Sequence, residues 1–283
     1  MYKLTRILVL HFLILIIPIL GISQDTAEKN NGEKVIIEMS DGSKYIGYVQ
    51  SVNDNHYVLK TKNGDLKIRR EFIRSIHTIN YDGKYIYANQ HYTSYFFSPS
   101  SIPLEKKKSY YQNILVTLNS VNYGLSKKFS IGGGLDVLAT IAARPTWFIN
   151  PKVGFEVGDQ LYTGASIIVA GADQNIVGIS FASATYGSKE SNLSLGLGYG
   201  FSDGELSNSP LFVASGTHRI SNSIALMSEN YFFINGFEGN NYFGVHGIRT
   251  ISRNHNFDFG LIIIPSISFL IPAIPMVGYV RSF

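Results

Sequence analysis

From Phe129 to Ile141 the chain reads FSIGGGLDVLATI, with Phe129, Ile131, Leu135, Val137, Ala139 and Ile141 on one parity and Ser130, Gly132, Gly134, Asp136 and Thr140 on the other. Neighbouring side chains of a strand point to opposite faces, so this spacing predicts a strand with one apolar face and one small or polar face. The pattern returns: Leu193, Leu195, Leu197, Tyr199 and Phe201 alternate with Ser194, Gly196, Gly198 and Gly200, and Phe257, Phe259, Leu261 and Ile263 alternate with Asp258 and Gly260. Comparable segments open near residues 129, 161, 193, 223 and 256. Their spacing of roughly thirty residues suits one hairpin of two membrane strands with its turns.

A soluble sandwich also alternates, with its apolar face packed inside and its polar face in water. Three features favour a transmembrane barrel instead. The polar parity is mostly Gly, Ser and Ala rather than Lys and Glu, as a crowded lumen requires. Aromatic residues (Trp147, Phe155, Phe181, Tyr199, Phe201, Tyr242, Phe257) fall toward strand ends, as in interfacial girdles. The chain ends on Gly278-Tyr-Val-Arg-Ser-Phe283. Five hairpins supply ten strands, residues 110–123 an eleventh, and the even count usual for such barrels assigns the twelfth to the aromatic stretch 91–98. The expectation is therefore an all-β protein whose residues 91–283 form an antiparallel transmembrane barrel of about twelve strands. Short turns are expected at 126–128, 158–160, 187–192, 221–222 and 252–255 on the periplasmic side. Connections at 100–108, 142–146, 171–175, 202–209, 234–241 and 265–272 are expected on the outside.

Residues 1–23 carry Lys3 and Arg6, an apolar run from Ile7 to Leu20, then Gly21 and Ser23, the pattern of a secretory signal peptide cleaved before Gln24. Residues 24–32 read as a disordered tether. Residues 33–80 contain five short apolar runs separated by Asp41-Gly42, Asn53-Asp54-Asn55 and Asn63-Gly64, strong hairpin signals. They predict a small SH3-like or Sm-like β-barrel, with Val35, Ile37, Ile46, Val49, Val58, Leu59, Leu66, Ile68, Ile73 and Ile76 as its core. Residues 81–90 are a linker, which places the small module in the periplasm below the barrel.

Composition narrows the chemistry. There is no cysteine, which removes disulfides, thiol catalysis, Cys-ligated metal and N-terminal lipidation. The formal charge of +4 falls by two, to +2, when Lys3 and Arg6 leave with the leader. That is too small to imply nucleic acid. The basic residues Lys60, Lys62, Lys67, Arg69, Arg70 and Arg74 read as a solvated face with acidic residues interspersed. Gly132-Gly-Gly134 and Gly196-Leu-Gly-Tyr-Gly200 lack the strand-to-helix setting of a phosphate loop. No cofactor, metal or catalytic set is expected.

The stretches Tyr95-Phe-Phe-Ser-Pro-Ser100, Ile102-Pro-Leu104, Tyr110-Tyr-Gln-Asn113, Val121-Asn-Tyr-Gly124, Leu195-Gly-Leu-Gly-Tyr-Gly200 and Glu229-Asn-Tyr-Phe232 resemble a family of uncharacterised outer-membrane β-barrel proteins of Bacteroidota. The resemblance implies an outer-membrane barrel over residues 91–283 and brings no substrate or catalytic residue with it.

The lumen parity holds Asp136, Lys152, Glu156, Glu229 and Asp258, with Arg219 and His246 as further members. Such charges either set ion preference or pair with one another and close the lumen. Gly278, Tyr279 and Phe283 match the terminal signal read by the barrel-assembly machinery, with Arg281 standing where an apolar residue is usual. The expected function is a narrow, porin-like channel or envelope scaffold in outer-membrane lipid. Its small module would dock a periplasmic protein or the peptidoglycan layer. A lipid hydrolase and a soluble secreted β protein are the alternatives. The first needs a Ser within hydrogen-bond reach of a His, and no such pattern is legible.

Overall fold

The computed structural model describes residues 34–53, 55–78, 85, 87–142, 144, 146–172, 175–237, 240–265 and 273–283. The leader and the tether lie outside them. The chain divides into two compact units, Ser23–Ala88 and a second that comprises Met1–Ile22 and Asn89–Phe283.

The first unit is a five-stranded sheet of β1 (Lys34–Met39), β2 (Lys44–Val52), β3 (His56–Thr61), β4 (Gly64–Arg69) and β5 (Ile73–Thr78), ordered β4-β3-β2-β1-β5 and antiparallel throughout. Its first turn is locally specified: Gly42 takes a φ of 88°, open to glycine, and the Asp41 carboxylate accepts from the Ser43 N–H at 2.8 Å. Val35, Ile37, Leu59 and Ile68 form the core. Ile46, expected inside, is exposed, because its register opposite Ile36 turns it to the outer face.

The second unit is a closed antiparallel barrel of twelve strands. In order they are β6 (Ser109–Ile114), β7 (Leu118–Gly124), β8 (Phe129–Asp136), β9 (Thr146–Gly158), β10 (Leu161–Ala172), β11 (Asn175–Gly187), β12 (Ser191–Ser202), β13 (Glu205–Arg219), β14 (Ile224–Phe237), β15 (Asn240–Ile251), β16 (His255–Ile263) and β17 (Ile274–Ser282). Closure comes from β17 against β6, with Gly278 opposite Ile114 and Ser282 opposite Tyr110. The barrel's outward parity is apolar: Phe129, Trp147, Leu195, Phe212, Phe257 and Leu261 are all exposed. Phe181, expected in an aromatic girdle, instead lies on the inward parity and is buried. A closed wall with a greasy exterior and polar interior satisfies every strand's backbone without an edge, which is the condition for crossing a bilayer.

The structure corrects four further expectations. The stretch 129–141 is not one strand: β8 stops at Asp136, whose carboxylate caps a short helix, α1 (Val137–Ile141), by accepting from the Ala139 N–H at 3.0 Å. Residues 110–123 are two strands, because Leu115 and Val116 turn the chain with φ values of 54° and 68°. Residues 91–98 form no strand of the wall. Connection 100–108 leads into β6 at the end where turn 125–128 lies, since Gly124 and Lys107 are hydrogen-bonded there.

A left-handed conformation costs an L-residue roughly 1–2 kcal/mol, and Val116 is 71% exposed, so its side chain gives up little packing if removed. Val116→Gly is therefore expected to stabilise the barrel by about 1 kcal/mol. The readout is a higher urea midpoint for the protein refolded in lipid vesicles, and a lower midpoint would refute the left-handed turn.

Candidate functional site: a lumen closed by the chain's own segment

Residues 89–104 run through the barrel interior rather than along its wall. Their partners come from β9, β11, β12, β13, β14 and β15, which only a segment within the lumen can reach together. An irregular segment in such a place carries backbone N–H and C=O groups that no ladder satisfies, and each must find another partner.

Three charged side chains of the wall meet that need. The Lys152 ammonium donates to the carbonyls of Thr93, Ser100 and Ile102 at 3.1, 3.0 and 2.9 Å. The Glu229 carboxylate accepts from the N–H groups of Phe96, Phe97 and Ser98 at 2.8, 3.0 and 2.8 Å, and from the Tyr231 hydroxyl. The Arg249 guanidinium donates to the carbonyls of His91, Ser94 and Tyr95, and its Nε and Nη2 grip the Asp258 carboxylate at 2.7 and 2.9 Å. All five guanidinium donors are thereby used. Every one of these charged side chains is buried.

Neutral contacts complete the fit. Ser98 meets Ser215 hydroxyl to hydroxyl at 2.9 Å, Ser101 meets Ser183 at 2.8 Å, and the Tyr95 hydroxyl donates to Asn192 Oδ1 at 2.6 Å. Phe96 is fully buried among Met227, Val245, Ile262 and Met276. Small wall residues make the approach feasible. A Cβ on Gly154 would stand 2.3 Å from the Ser101 carbonyl oxygen, and one on Gly124 would stand 2.1 Å from that of Glu105. The glycine-rich lumen parity is thus the surface on which this internal segment lies.

A latch holds the segment's beginning. Glu190, in the turn between β11 and β12, accepts from the Asn89 N–H at 2.7 Å and from Arg219 Nη1 at 2.7 Å. Arg219 also donates to the carbonyls of Ser221 and Asn222, binding the next turn. Burial raises the Glu190 carboxyl above the ordinary carboxylate range, against the opposing pull of Asn89 and Arg219. At the segment's far end Glu105 pairs with Lys189, whose hydrogen bond lowers the carboxyl.

Of the charges expected in the lumen, Lys152, Glu229 and Asp258 are there. Asp136 sits at the end of β8 as the cap of α1, and Glu156 is exposed near the turn into β10. Arg219 is buried at the latch. His246 faces outward, since its neighbour Val245 packs against Phe96 inside. Of the terminal residues, Gly278 pairs inside the last strand, the Tyr279 hydroxyl lies 2.7 Å from His255 Nδ1, and Phe283 is exposed with Arg281 over its ring. Arg249 and Glu190 escaped the sequence reading, as did the role of residues 89–104.

On the outer wall the structure also brings together a Ser and a His that the sequence did not pair. Ser228 Oγ lies 3.0 Å from His246 Nδ1, and Tyr242 bridges His246 Nε2 and Asn230 Oδ1 at 3.2 and 2.8 Å. Acyl transfer also needs donors for an oxyanion. The surrounding backbone from Ile224 to Phe232 is committed to its neighbours' ladders, and Ser228 is 3% exposed. The four side chains instead satisfy one another on a face that meets lipid. Among the described residues no group of three His, Asp or Glu is placed to hold a metal ion.

A closed twelve-stranded barrel with an apolar exterior and an occupied polar lumen is a porin-like β-barrel of the outer-membrane kind. No protein-family model and no curated protein matches the sequence. Among solved structures it is similar to the KdgM porin, at 8% identity and a TM-score of 0.46 over 62% of this chain and 99% of that one. It is also similar to the outer-membrane-expressed OmpT of Vibrio cholerae, at 12% identity and a TM-score of 0.34 over 92% of this chain and 100% of that one. These likenesses concern barrel architecture and carry no argument about solute or activity.

Removing one member of a buried ion pair strands the other, at a cost of about 3–5 kcal/mol. Arg249→Met should accordingly lower the yield of folded, heat-modifiable barrel on gels, and adding Asp258→Leu should recover part of that loss. Equal yields for Arg249→Met and the unaltered protein would show that the guanidinium does not hold the segment.

Proposed function

We propose that the protein is a gated outer-membrane channel whose lumen is held shut by residues 89–104, and that solute passes only when this segment moves aside. The observation that carries the reading is the match between wall charge and segment backbone: Lys152 takes three carbonyls and Glu229 takes three consecutive N–H groups. A segment held by hydrogen bonds that water can replace is removable in a way that a covalently closed or purely apolar core is not. The resemblance to Bacteroidota outer-membrane barrels agrees with this setting. In the same reading residues 33–80 are an SH3-like docking module on the periplasmic side, supported by the β4-β3-β2-β1-β5 order and its separate core. Its partner would be a periplasmic protein or the peptidoglycan layer. Gly278, Tyr279 and Phe283 would present the strand read by the assembly machinery.

Single-channel recording tests the gate. The Ser98→Cys/Ser215→Cys variant, placed where two hydroxyls stand 2.9 Å apart in a chain without native cysteine, should show no conductance steps when oxidised and regain them with reductant. Glu229→Gln, which withdraws the charge from three N–H groups, should open more often than the unaltered protein. Steps that persist unchanged in the oxidised clamp would refute gating by this segment, and silence of every variant at every voltage would favour a scaffold.

Sidedness has its own assay. A protease-cleavable tag at Asn30 should survive external protease in intact cells, and its cleavage there would place the small module outside.

A further inference from the structure

We infer that the part of the lumen left open beside and above the closing segment is a binding chamber for a neutral, single-chain amphiphile, with its polar head at Asn150 and its apolar chain directed to the mouth at 203–204. The inference rests on the reading of a lumen closed by residues 89–104, and it names what that lumen accepts.

Two cavities carry it. One, of about 280 Å³, lies between the closing segment and the wall of β6 to β10. The other, of about 950 Å³, opens at the mouth beside the turn at Asp203 and Gly204. Ile168 and Ala170 line both, so the two adjoin at these side chains. The outer one by itself falls in the size range of small-molecule sites, and the inner one lies just below it. Their linings differ along the axis. Phe96, Phe97 and Phe148 flank the inner cavity, and Ile179, Leu211 and Phe233 flank the outer one. Gln112, Ser120, Asn122, Ser130 and Asn150 gather beside the inner one. A conduit for hydrated ions is lined by polar or charged groups along its whole length, whereas here apolar side chains interrupt the polar ones in both cavities, and Ile168 and Ala170 stand where the two adjoin.

The floor selects the head group. Asn150 Oδ1 is enclosed with no hydrogen-bond partner among the described residues, an acceptor that calls for a donor such as a hydroxyl. Cationic groups nearby have nothing left to offer an anion: the Lys152 ammonium spends its three donors on Thr93, Ser100 and Ile102, and Arg249 spends all five of its own. Asp203 and Glu205 line the outer cavity and add negative charge at its mouth. A carboxylate or phosphate head would thus enter past like charge and find no cation, while a hydroxyl head finds the Asn150 oxygen.

The test uses the full chain held in amphipol, with the neutral fluorophore N-phenyl-1-naphthylamine as probe. Its fluorescence should rise saturably and be displaced by 1-dodecanol at a concentration at least tenfold below that of laurate, with glucose inert. Ala170→Trp, which fills the junction of the two cavities, should reduce probe affinity at least tenfold, and Ile179→Trp provides a second obstruction should the first fold poorly by heat-modifiable migration. Asn150→Leu should weaken displacement by dodecanol about tenfold, the effect of losing one hydrogen bond of roughly 1.4 kcal/mol, and leave the probe's own affinity unchanged. Absence of saturable binding, binding indifferent to both Trp variants, or displacement by laurate as effective as by dodecanol would each overturn the inference. None of these results touches the gate. Conductance unaffected by the oxidised Ser98→Cys/Ser215→Cys clamp would sink the gating reading instead, and the two failures are therefore told apart.

Discussion

Backbone polar groups in a confined, water-poor space must be hydrogen-bonded, and the second unit is arranged around meeting that demand for one irregular segment. Strands of the wall satisfy each other by closing into a barrel. Residues 89–104 have no such recourse. Their carbonyls converge on Lys152 and Arg249, and three consecutive N–H groups converge on Glu229. The charges in turn are tolerable in the lumen because backbone dipoles surround them. Removing either partner would leave the other unsatisfied, so segment and wall specify one another.

The same constraint shapes the wall's composition. Gly154 and Gly124 sit where the carbonyl oxygens of Ser101, within the segment, and of Glu105, just after it, come within 2.3 and 2.1 Å of any added Cβ. Small residues are required there by contact, not by lumen width alone. On the outer face the rule runs in reverse. Ser228, Asn230, Tyr242 and His246 are hydrogen-bonded to one another and Asn230 also to the Ala214 carbonyl, with Tyr242 folded so tightly over Gly244 that a Cβ would collide with its hydroxyl.

Alternation made most of the barrel legible. Strand starts observed at Phe129, Leu161, Ser191, Ile224 and His255 lie within two residues of those the pattern places. Parity puts Asp136, Lys152, Glu156, Glu229 and Asp258 on one face; of these Lys152, Glu229 and Asp258 are buried, whereas Asp136 and Glu156 stand toward strand ends. The failures have physical causes. Leu115 and Val116 make a left-handed turn without Gly or Asn, so the hairpin of β6 and β7 carries no turn signal. Residues 91–98 are aromatic enough to pass for a strand, and what keeps them off the wall is bonding to residues more than a hundred positions away, such as Glu229. In β15 neither parity is apolar: Gly244 and His246 share one face, Gly247 and Arg249 the other. The pattern does not distinguish inside from outside there, so it gives no sign of Arg249 in the lumen and puts His246 on the wrong face.

In the proposed gate, the balance between closed and displaced states would follow from what the segment exchanges on leaving. Each hydrogen bond to Lys152 or Glu229 would be replaced by one to water, so its net contribution is only about 0.5–3 kcal/mol although its absence without water would cost far more. Phe96 is different, because hydration offers no substitute for its packing against Met227, Val245, Ile262 and Met276, and burial of such a ring stabilises by about 1.5–3 kcal/mol. The charges therefore set the register in which the segment lies and would let it leave only into a hydrated lumen, while the apolar contacts supply much of its net stability. Phe96 and Phe97 also flank the inner cavity, so the segment lends apolar surface to that cavity as well as to the wall.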